Sequence, residues 1–516
     1  MVLQDQLVSV PELLEQAALH WPKHECIYDL TCRLSYGDMY ERVNRLAAGL
    51  QAIGIGAGDK VGVSLFNWHE TAELFFAVPM IGAVLVPFNP KYRTYEVQHI
   101  LKNSGVKAVF VSEEFEQVGM DAVRPLVRDI ITVRCRKEGL RAYEDLLSAK
   151  EKPKLPPHPP EGDDIYCILY TSGTTGLPKG VLITHRAVVQ SGRTISGALR
   201  CTADDVYLVL APIFHIFGMA VNMIAAMVRG SRMVFLDKFK AEKALELIQQ
   251  EKVTIHHAVP SMLNLELKSP NFDSYDVSSL RAGVTGAAPC PPETIKAVRE
   301  KMGMNLCISF GATETSTVTI TGYDDPLDKV CGTIGKAVEG VEVKIVGEDR
   351  RTLPPGEIGE MAVRGFGGMK GYYQMPEETR KVLDEEGWFY TGDLGMMDEE
   401  GYIRYMGRKK ELIIRGGYNI YPQELEALLQ HHPKVLESAV VGLPDETMGE
   451  TVCAVVRLKP GTSAQPEEII DYLKGKIANY KLPGKVVFLD WLPTTASGKI
   501  QKNRLREQIL QAPGSA

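Results

Sequence analysis

The sequence predicts an α/β protein: a large N-terminal part of parallel βαβ sheets, a small β-barrel-like subdomain, and a compact α+β unit at the C-terminal end. Three observations predict it. Short β-rich runs alternate with amphipathic helical patterns through the first four hundred or so residues; from about residue 340 short strands follow one another through tight Gly/Asp turns; and about the last hundred residues mix strands and helices at the modal size of a domain. At 516 residues the chain exceeds one ordinary core, so division into domains is the default.

The β-rich runs of the first region are "VGVSLF" (61–66), "VLVPFN" (84–89), "AVFVS" (108–112), "YCILYTS" (166–172), "DVYLVLAP" (205–212), "RMVFLD" (232–237), "TIHHAV" (254–259) and "NLCISFGA" (305–312). Segments such as "AEKALELIQQEK" and "PPETIKAVREKM" between them carry helical periodicity, which argues for parallel strands joined by crossover helices. The proline-rich "KEKPKLPPHPPEGDD" (150–164) reads as an exposed tether, because the strand and glycine loop after it belong with the sheet before it. "VEVKIVG", "GEIGEMAVRG" and "GWFYTGDLGMMDEEGYIRYMG" form the strand-rich region. The domain boundary falls between Arg408 and Glu411, giving units of residues 1–409 and 410–516.

Composition excludes several functions. With 58 basic against 65 acidic residues, a net charge of -7 and no dense Lys/Arg run, the chain has no electrostatic footprint for nucleic acid. Nine cysteines, odd in number and scattered, show no metal-ligand spacing and read as reduced, which points to the cytoplasm. The opening "MVLQDQLVSVPELLEQAALHWP" lacks the basic flank of a signal peptide. The longest apolar run, "LFFAVPMIGAVLVPF" from Leu74, is broken by Pro79 and Gly82 and is shorter than the ~20 residues of a transmembrane span.

Four stretches carry chemistry. In "ILYTSGTTGLPKG" a strand runs into Thr171, Ser172, Gly173, Thr174, Thr175 and Gly176, followed by Lys179: hydroxyls, closely approachable backbone N–H groups and a mobile cation, a set suited to a polyphosphate that is held and then released. The spacing is not that of the commonest phosphate loop, in which Lys-Ser/Thr follows the second glycine at once. In "ISFGATETS", Thr313 and Glu314 follow Gly311 at a strand's carboxyl end, where open α/β sheets bind ligands; a carboxylate beside phosphates suits magnesium. In "WFYTGDLG", Asp393 can accept two hydroxyl donors, as a ribose offers, or simply cap a hairpin. In "LPTTASGKIQKNRL", Lys499 is either a surface charge or a lysine delivered by closure of the small domain.

Taken together, "YTSGTTGLPKG", "FGATE", "YTGDLG", "GYIRYMGRKKELIIRGGYNIYPQELE" and "PTTASGKIQK" resemble the ordered signature set of the adenylate-forming superfamily: acyl-CoA synthetases, adenylation domains of nonribosomal peptide synthetases, and luciferases. The likeness spans nearly the whole chain and points to the fatty acid-CoA ligase branch. It implies a two-step reaction using ATP, Mg2+ and CoA, in which a carboxylate attacks the α-phosphate of ATP and a thiol then attacks the acyl-adenylate. By the resemblance, residues 171–179 hold the β- and γ-phosphates, Thr313 contacts the α-phosphate, Glu314 ligands magnesium and Lys499 is the catalytic lysine. Asp393 and Arg408 bind the ribose, and Gly286, Ala287, Ala288 and Phe310 flank the adenine. Phe310 stands where the family commonly has Tyr, so stacking survives without the hydroxyl.

The resemblance also implies that the small domain is mobile, turning about Lys410 and bringing Gly417 beside the pantetheine tunnel. Phe214, His215 and Gly218, in "APIFHIFGMAVNMIAAMV", fall in the segment that lines the family's acyl pocket, while Met219, Met223 and Met227 at helical spacing read more readily as core. The apolar character of this segment suits a medium- or long-chain fatty acid, with an aryl acid as rival substrate, a separate carrier protein as rival acceptor, and a nonenzymatic binding module as the rival from another class. A homodimer is compatible with the resemblance.

Overall fold

The computed structural model describes residues 9–149, 152–156, 159–171, 178–494 and 500–511. Two large sheets, mainly parallel, form its bulk. In the seven-stranded one the order is 141–142, 129–132, 108–111, 60–64, 84–87, 165–171 and 179–184. Its strands run parallel up to Ile165–Thr171, which then hairpins into the antiparallel edge strand Lys179–Thr184. The nine-stranded sheet runs 336–337, 316–320, 305–312, 282–285, 255–257, 206–209, 232–235, 25–28 and 33–35, parallel except at its two edges.

All eight predicted β-rich runs of this region are strands, and the two quoted helical patterns are helices Ala241–Glu251 and Pro292–Lys301. Central strands such as Ala108–Val111 and Ala282–Thr285 are buried at every position, as expected for a sheet covered on both faces. The strand after the proline-rich tether pairs with Val84–Pro87, so the tether does not separate domains. The long apolar run splits: helix His69–Met80 is buried along its whole length, Gly82 turns the chain at φ 74°, and Val84–Pro87 is a strand. Among the described residues no helix is long and apolar enough to cross a membrane.

The largest core lies between the two sheets, drawing Val61 and Leu85 from one, Tyr207 and Val284 from the other, and Phe75, Val188 and Met223 from the helices between them. The strand-rich region is an up-and-down antiparallel meander of four strands, 341–346, 358–365, 389–397 and 403–408. A one-turn 3-10 helix, Lys409–Glu411, separates it from a five-stranded C-terminal sheet that begins at Ile413–Arg415 and has its own core around Ile413, Leu425, Val440, Val452 and Val456.

Candidate active site

Two loops leave the carboxyl ends of adjacent parallel strands in the nine-stranded sheet. Strand Ala282–Thr285 pairs with Asn305–Ala312, and Thr285 lies opposite Ile308. After Thr285 the chain turns through Gly286, Ala287 and Ala288. A Cβ on Gly286 would lie 2.5 Å from the Ser309 carbonyl oxygen, so only glycine permits this approach, and Ala287 takes the left-handed region at φ 65°. The predicted adenine-flanking turn thus packs directly against the strand that carries Phe310.

That strand hairpins into Ser316–Ile320 with a bulge between Phe310 and Gly311. A Cβ at Gly311 would fall 1.9 Å from the Ser316 carbonyl oxygen. Thr313 and Glu314 occupy the turn, which Thr315 braces by accepting from the Ala312 N–H at 3.1 Å. Thr313 is buried and Glu314 half-buried. Glu314 is fixed twice: its carbonyl accepts from the Met369 N–H at 2.8 Å, and its Oε1 accepts from the Tyr372 hydroxyl at 3.1 Å.

Asp393 and Arg408 face each other across the antiparallel pair Phe389–Met397 and Ile403–Arg408. Asp393 is only 3% exposed, and its Oδ1 accepts from Arg408 Nε at 3.1 Å and from the Tyr405 hydroxyl at 3.2 Å. Burial works against the Arg408 charge, and the Asp393 carboxylate together with Tyr405 and Glu411 more than offsets it, so the guanidinium is held more firmly protonated than a free arginine. Burial, then the same carboxylate, push the Tyr405 phenol well up, which keeps it a donor. The Tyr405 ring lies 6.0 Å from that of Phe310. Tyr405 therefore joins the predicted adenine and ribose groups. Sequence reasoning passed over it, although it stands three residues before Arg408.

Of the predicted phosphate loop, Thr171 and Lys179 are described and stand opposite each other at the base of the hairpin; Ser172, Gly173, Thr174, Thr175 and Gly176 lie outside the described residues, as does Lys499. The Lys179 ammonium lies 2.6 Å from Glu378 Oε2 and 4.9 Å from the centre of the Tyr372 ring. Segment 370–373 runs beside the edge strand, with Leu182 N–H donating to the Gly371 carbonyl and Tyr373 N–H to that of Gly180. Tyr372 thereby connects Lys179 to Glu314. A continuous path runs from Lys179 through Tyr372, Glu314 and the 310–316 hairpin to Phe310, Tyr405, Asp393 and Arg408. Tyr372 and Glu378 carried no motif signal; only the chain path brings them here.

Phe214 is half-buried, His215 exposed and Gly218 buried where a Cβ would lie 2.1 Å from the Pro212 carbonyl oxygen. Residues Phe217–Ile224 wind as a π-helix that continues as an α-helix to Arg229. Met219, Met223 and Met227 are wholly buried in the main core, in agreement with their core reading. The turn leading to Phe214 is held by buried Asn67, whose Nδ2 donates to the Val209 and Ala211 carbonyls at 3.2 and 3.0 Å and whose Oδ1 accepts from the Ile213 N–H at 2.9 Å.

Lys410 lies in the 3-10 turn between the two C-terminal sheets. Gly417 follows Gly416 at the tip of the hairpin joining Ile413–Arg415 to Tyr418–Ile420, at φ 82°, with nothing within 4 Å of where a Cβ would stand; Ile414 and Tyr418 beside it are exposed.

Glu314 offers hard carboxylate oxygens, one of them braced by Tyr372, which fits a magnesium ion by donor chemistry. Asp29, His69 and Glu70 also come close enough to one another for a cation, but Arg134 already bonds to both Asp29 and Glu70 and fills that role. All nine cysteines are free thiols.

Residues 14–373 match the family described as AMP-binding enzyme, and residues 424–499 match the AMP-binding enzyme C-terminal domain. The chain is 37% identical to the medium-chain fatty-acid–CoA ligase of Escherichia coli K12, over 98% of this chain and 91% of that one. Among solved structures, ATP-bound MatB from Rhodopseudomonas palustris superposes with a TM-score of 0.88 at 31% identity, over 97% of this chain and 99% of that one. The anthranilate CoA ligase AuaEII in complex with anthranoyl-AMP superposes with a TM-score of 0.90 at 27% identity, over 98% of each chain. The chain belongs to the AMP-binding enzyme family, in the acyl-CoA synthetase branch of the adenylate-forming superfamily.

Proposed function

We propose that this chain is an acid–thiol ligase that activates a medium- or long-chain fatty acid with ATP and passes the acyl group to coenzyme A. The observation that carries the reading is the contact path from Lys179 to Arg408, on a chain that matches a medium-chain ligase over almost its full length.

In the first step a carboxylate oxygen bonds to the α-phosphorus of ATP and the bond to the β-phosphate oxygen breaks, so pyrophosphate leaves with the electron pair. An anion must approach an anion, and cations must offset the repulsion and the developing charge. Lys179, at the base of the phosphate loop 171–179, faces the β- and γ-phosphates; Thr313 donates to the α-phosphate; Lys499 is brought to the reacting oxygens by the small domain. Glu314 would hold Mg2+, which supplies charge neutralisation on the phosphates when bound. Asp393, with its charge kept in place by Arg408 and Tyr405, accepts from the ribose hydroxyls. Phe310 and the turn Gly286–Ala287–Ala288 bracket the adenine. In the second step the thiol sulfur bonds to the acyl carbon, the bond from that carbon to the AMP phosphate oxygen breaks, AMP departs with the electron pair and the thiol proton passes to solvent.

Residues 1–409 and 410–516 act as two units that pivot at Lys410, the first step using Lys499 and the second bringing Gly417 to the thiol. The exposed hairpin around Gly417 and the superposition on ATP-bound and adenylate-bound relatives support assigning the arrangement seen here to the first step. Phe214, His215 and Gly218 belong to the acyl pocket. A cytoplasmic location and a homodimer complete the proposal, the former resting on nine free thiols.

The test is Lys499→Ala, which should lose acid-dependent pyrophosphate exchange yet still form thioester from supplied acyl-adenylate. Loss of both, or of neither, would contradict the assignment. Superposition on AuaEII favours one second reading, an aryl acid as substrate.

A further inference from the structure

We propose that Glu378 is a latch on the phosphate-loop lysine: it holds the Lys179 ammonium when no polyphosphate is bound, must surrender it to ATP, and reclaims it as pyrophosphate leaves. The inference rests on the reading above, in which Lys179 faces the β- and γ-phosphates.

Glu378 comes from a segment 199 residues further along the chain, yet its Oε2 lies 2.6 Å from Lys179 Nζ, with both side chains less than a third exposed. It sits in the first turn of helix Pro376–Val382, where the unpaired N–H groups favour a carboxylate. The same helix holds the rest of the cluster. Thr379 Oγ1 accepts from the Tyr372 N–H at 2.9 Å, and Tyr372 in turn lies under Lys179 and donates to Glu314. Lys179, then Lys381, bring the Glu378 carboxyl down to about 2, so it is ionised at any working pH.

Lysine is a compact point charge on a flexible stem, and one ammonium cannot neutralise a carboxylate and a polyphosphate at full strength together. When ATP takes the ammonium, Glu378 keeps only its exposed ion pair with Lys381, and its less fully compensated charge beside the phosphates weakens their hold. Once pyrophosphate has formed, the same competition favours its departure. Glu378 thus acts through Lys179 as a positioning residue, without contacting the reacting atoms. Its removal should tighten nucleotide binding, an outcome that a merely structural role does not give.

The experiment compares wild type, Glu378→Gln, Lys179→Ala and the double variant in steady-state assays with ATP, Mg2+, CoA and a fatty acid, with pyrophosphate as product inhibitor. For Glu378→Gln, KM for ATP and the inhibition constant of pyrophosphate should both fall by about threefold to fivefold, the range of a partly exposed ion pair, while KM for the acid stays put. In the Lys179→Ala background the same replacement should have at most a small part of this effect. Glu378→Ala, checked by thermal melting, serves as a second replacement. An unchanged or higher KM for ATP in both Glu378 variants overturns the latch, and a higher KM relieved by added Mg2+ would make Glu378 a metal ligand instead. If Lys179→Ala leaves the ATP KM alone, the phosphate assignment of Lys179 falls and the latch with it; if Lys179→Ala raises that KM while Glu378→Gln does not lower it, the latch alone falls.

Discussion

The Lys502 ammonium lies 3.0 Å from a carboxylate oxygen of Glu411 and 2.7 Å from one of Glu426. Lys502 stands three residues beyond Lys499, and Glu411 one residue beyond Lys410. The start of helix Lys502–Gln511 is therefore anchored to the 3-10 turn Lys409–Glu411. Glu426 is buried, and burial pushes its carboxyl up in spite of the Lys502 charge and the Val440 N–H that donates to it at 2.7 Å. Removing the cation would strand that carboxylate.

Lys502→Met should cost about 3 kcal/mol in chemical denaturation of the C-terminal unit, the usual penalty for breaking a buried pair from one side. Adding Glu426→Gln should recover a large part of it. Equal losses in the single and double variants would show that Lys502 contributes by packing alone.

Asp393→Ala should raise KM for ATP by about tenfold or more, because a charged acceptor for two hydroxyls is lost. Arg408 and Tyr405 lose their shared partner as well. The specific readout is the deoxynucleotide: the wild type should discriminate strongly between ATP and 2′-deoxy-ATP or 3′-deoxy-ATP, and Asp393→Ala should not. Retained discrimination against both analogues would remove Asp393 from the ribose site.

His185 opens the helix His185–Ala198, which Thr184 caps by accepting from the Ala187 N–H at 3.1 Å. The His185 Nδ1 accepts from the Val10 N–H at 3.2 Å, and burial lowers its pKa to about 4. A depressed histidine contributes stability that is complete above its unfolded pKa of ~6.5 and is lost as pH falls toward the folded value. Urea unfolding at pH 7.5 and pH 4.5 should therefore differ by on the order of 3 kcal/mol from this group, with His257, lowered to about 3 by burial, acting in the same direction. His185→Asn, which keeps an acceptor without a titrating ring, should flatten part of the pH dependence. An unaltered profile would place the acid sensitivity elsewhere.

The parallel strands were legible because each is a short, almost wholly apolar run, and Asp393 stood out because it follows a glycine in a hairpin of aromatic residues. Other parts were not legible for physical reasons. Glu378 and Tyr372 sit beside Lys179 only because segment 370–373 pairs with the edge strand Lys179–Thr184, a long-range choice that no local pattern encodes. Asn67 reads as an ordinary loop residue until the carbonyls of Val209 and Ala211 converge on it. The π-helix at Phe217–Ile224 shares the apolar texture of an α-helix, and its methionines recur at a spacing that suits either winding.

The central claim is that this chain makes acyl-CoA from a medium- or long-chain fatty acid, and the most direct measurement is acid-dependent release of AMP and pyrophosphate with ATP, Mg2+ and CoA, across short, medium and long fatty acids, aryl acids and amino acids. The account predicts highest turnover on medium- or long-chain fatty acids, with one CoA thiol consumed per AMP released. Turnover confined to aryl acids, pyrophosphate exchange with no thioester, or silence across the panel would contradict it.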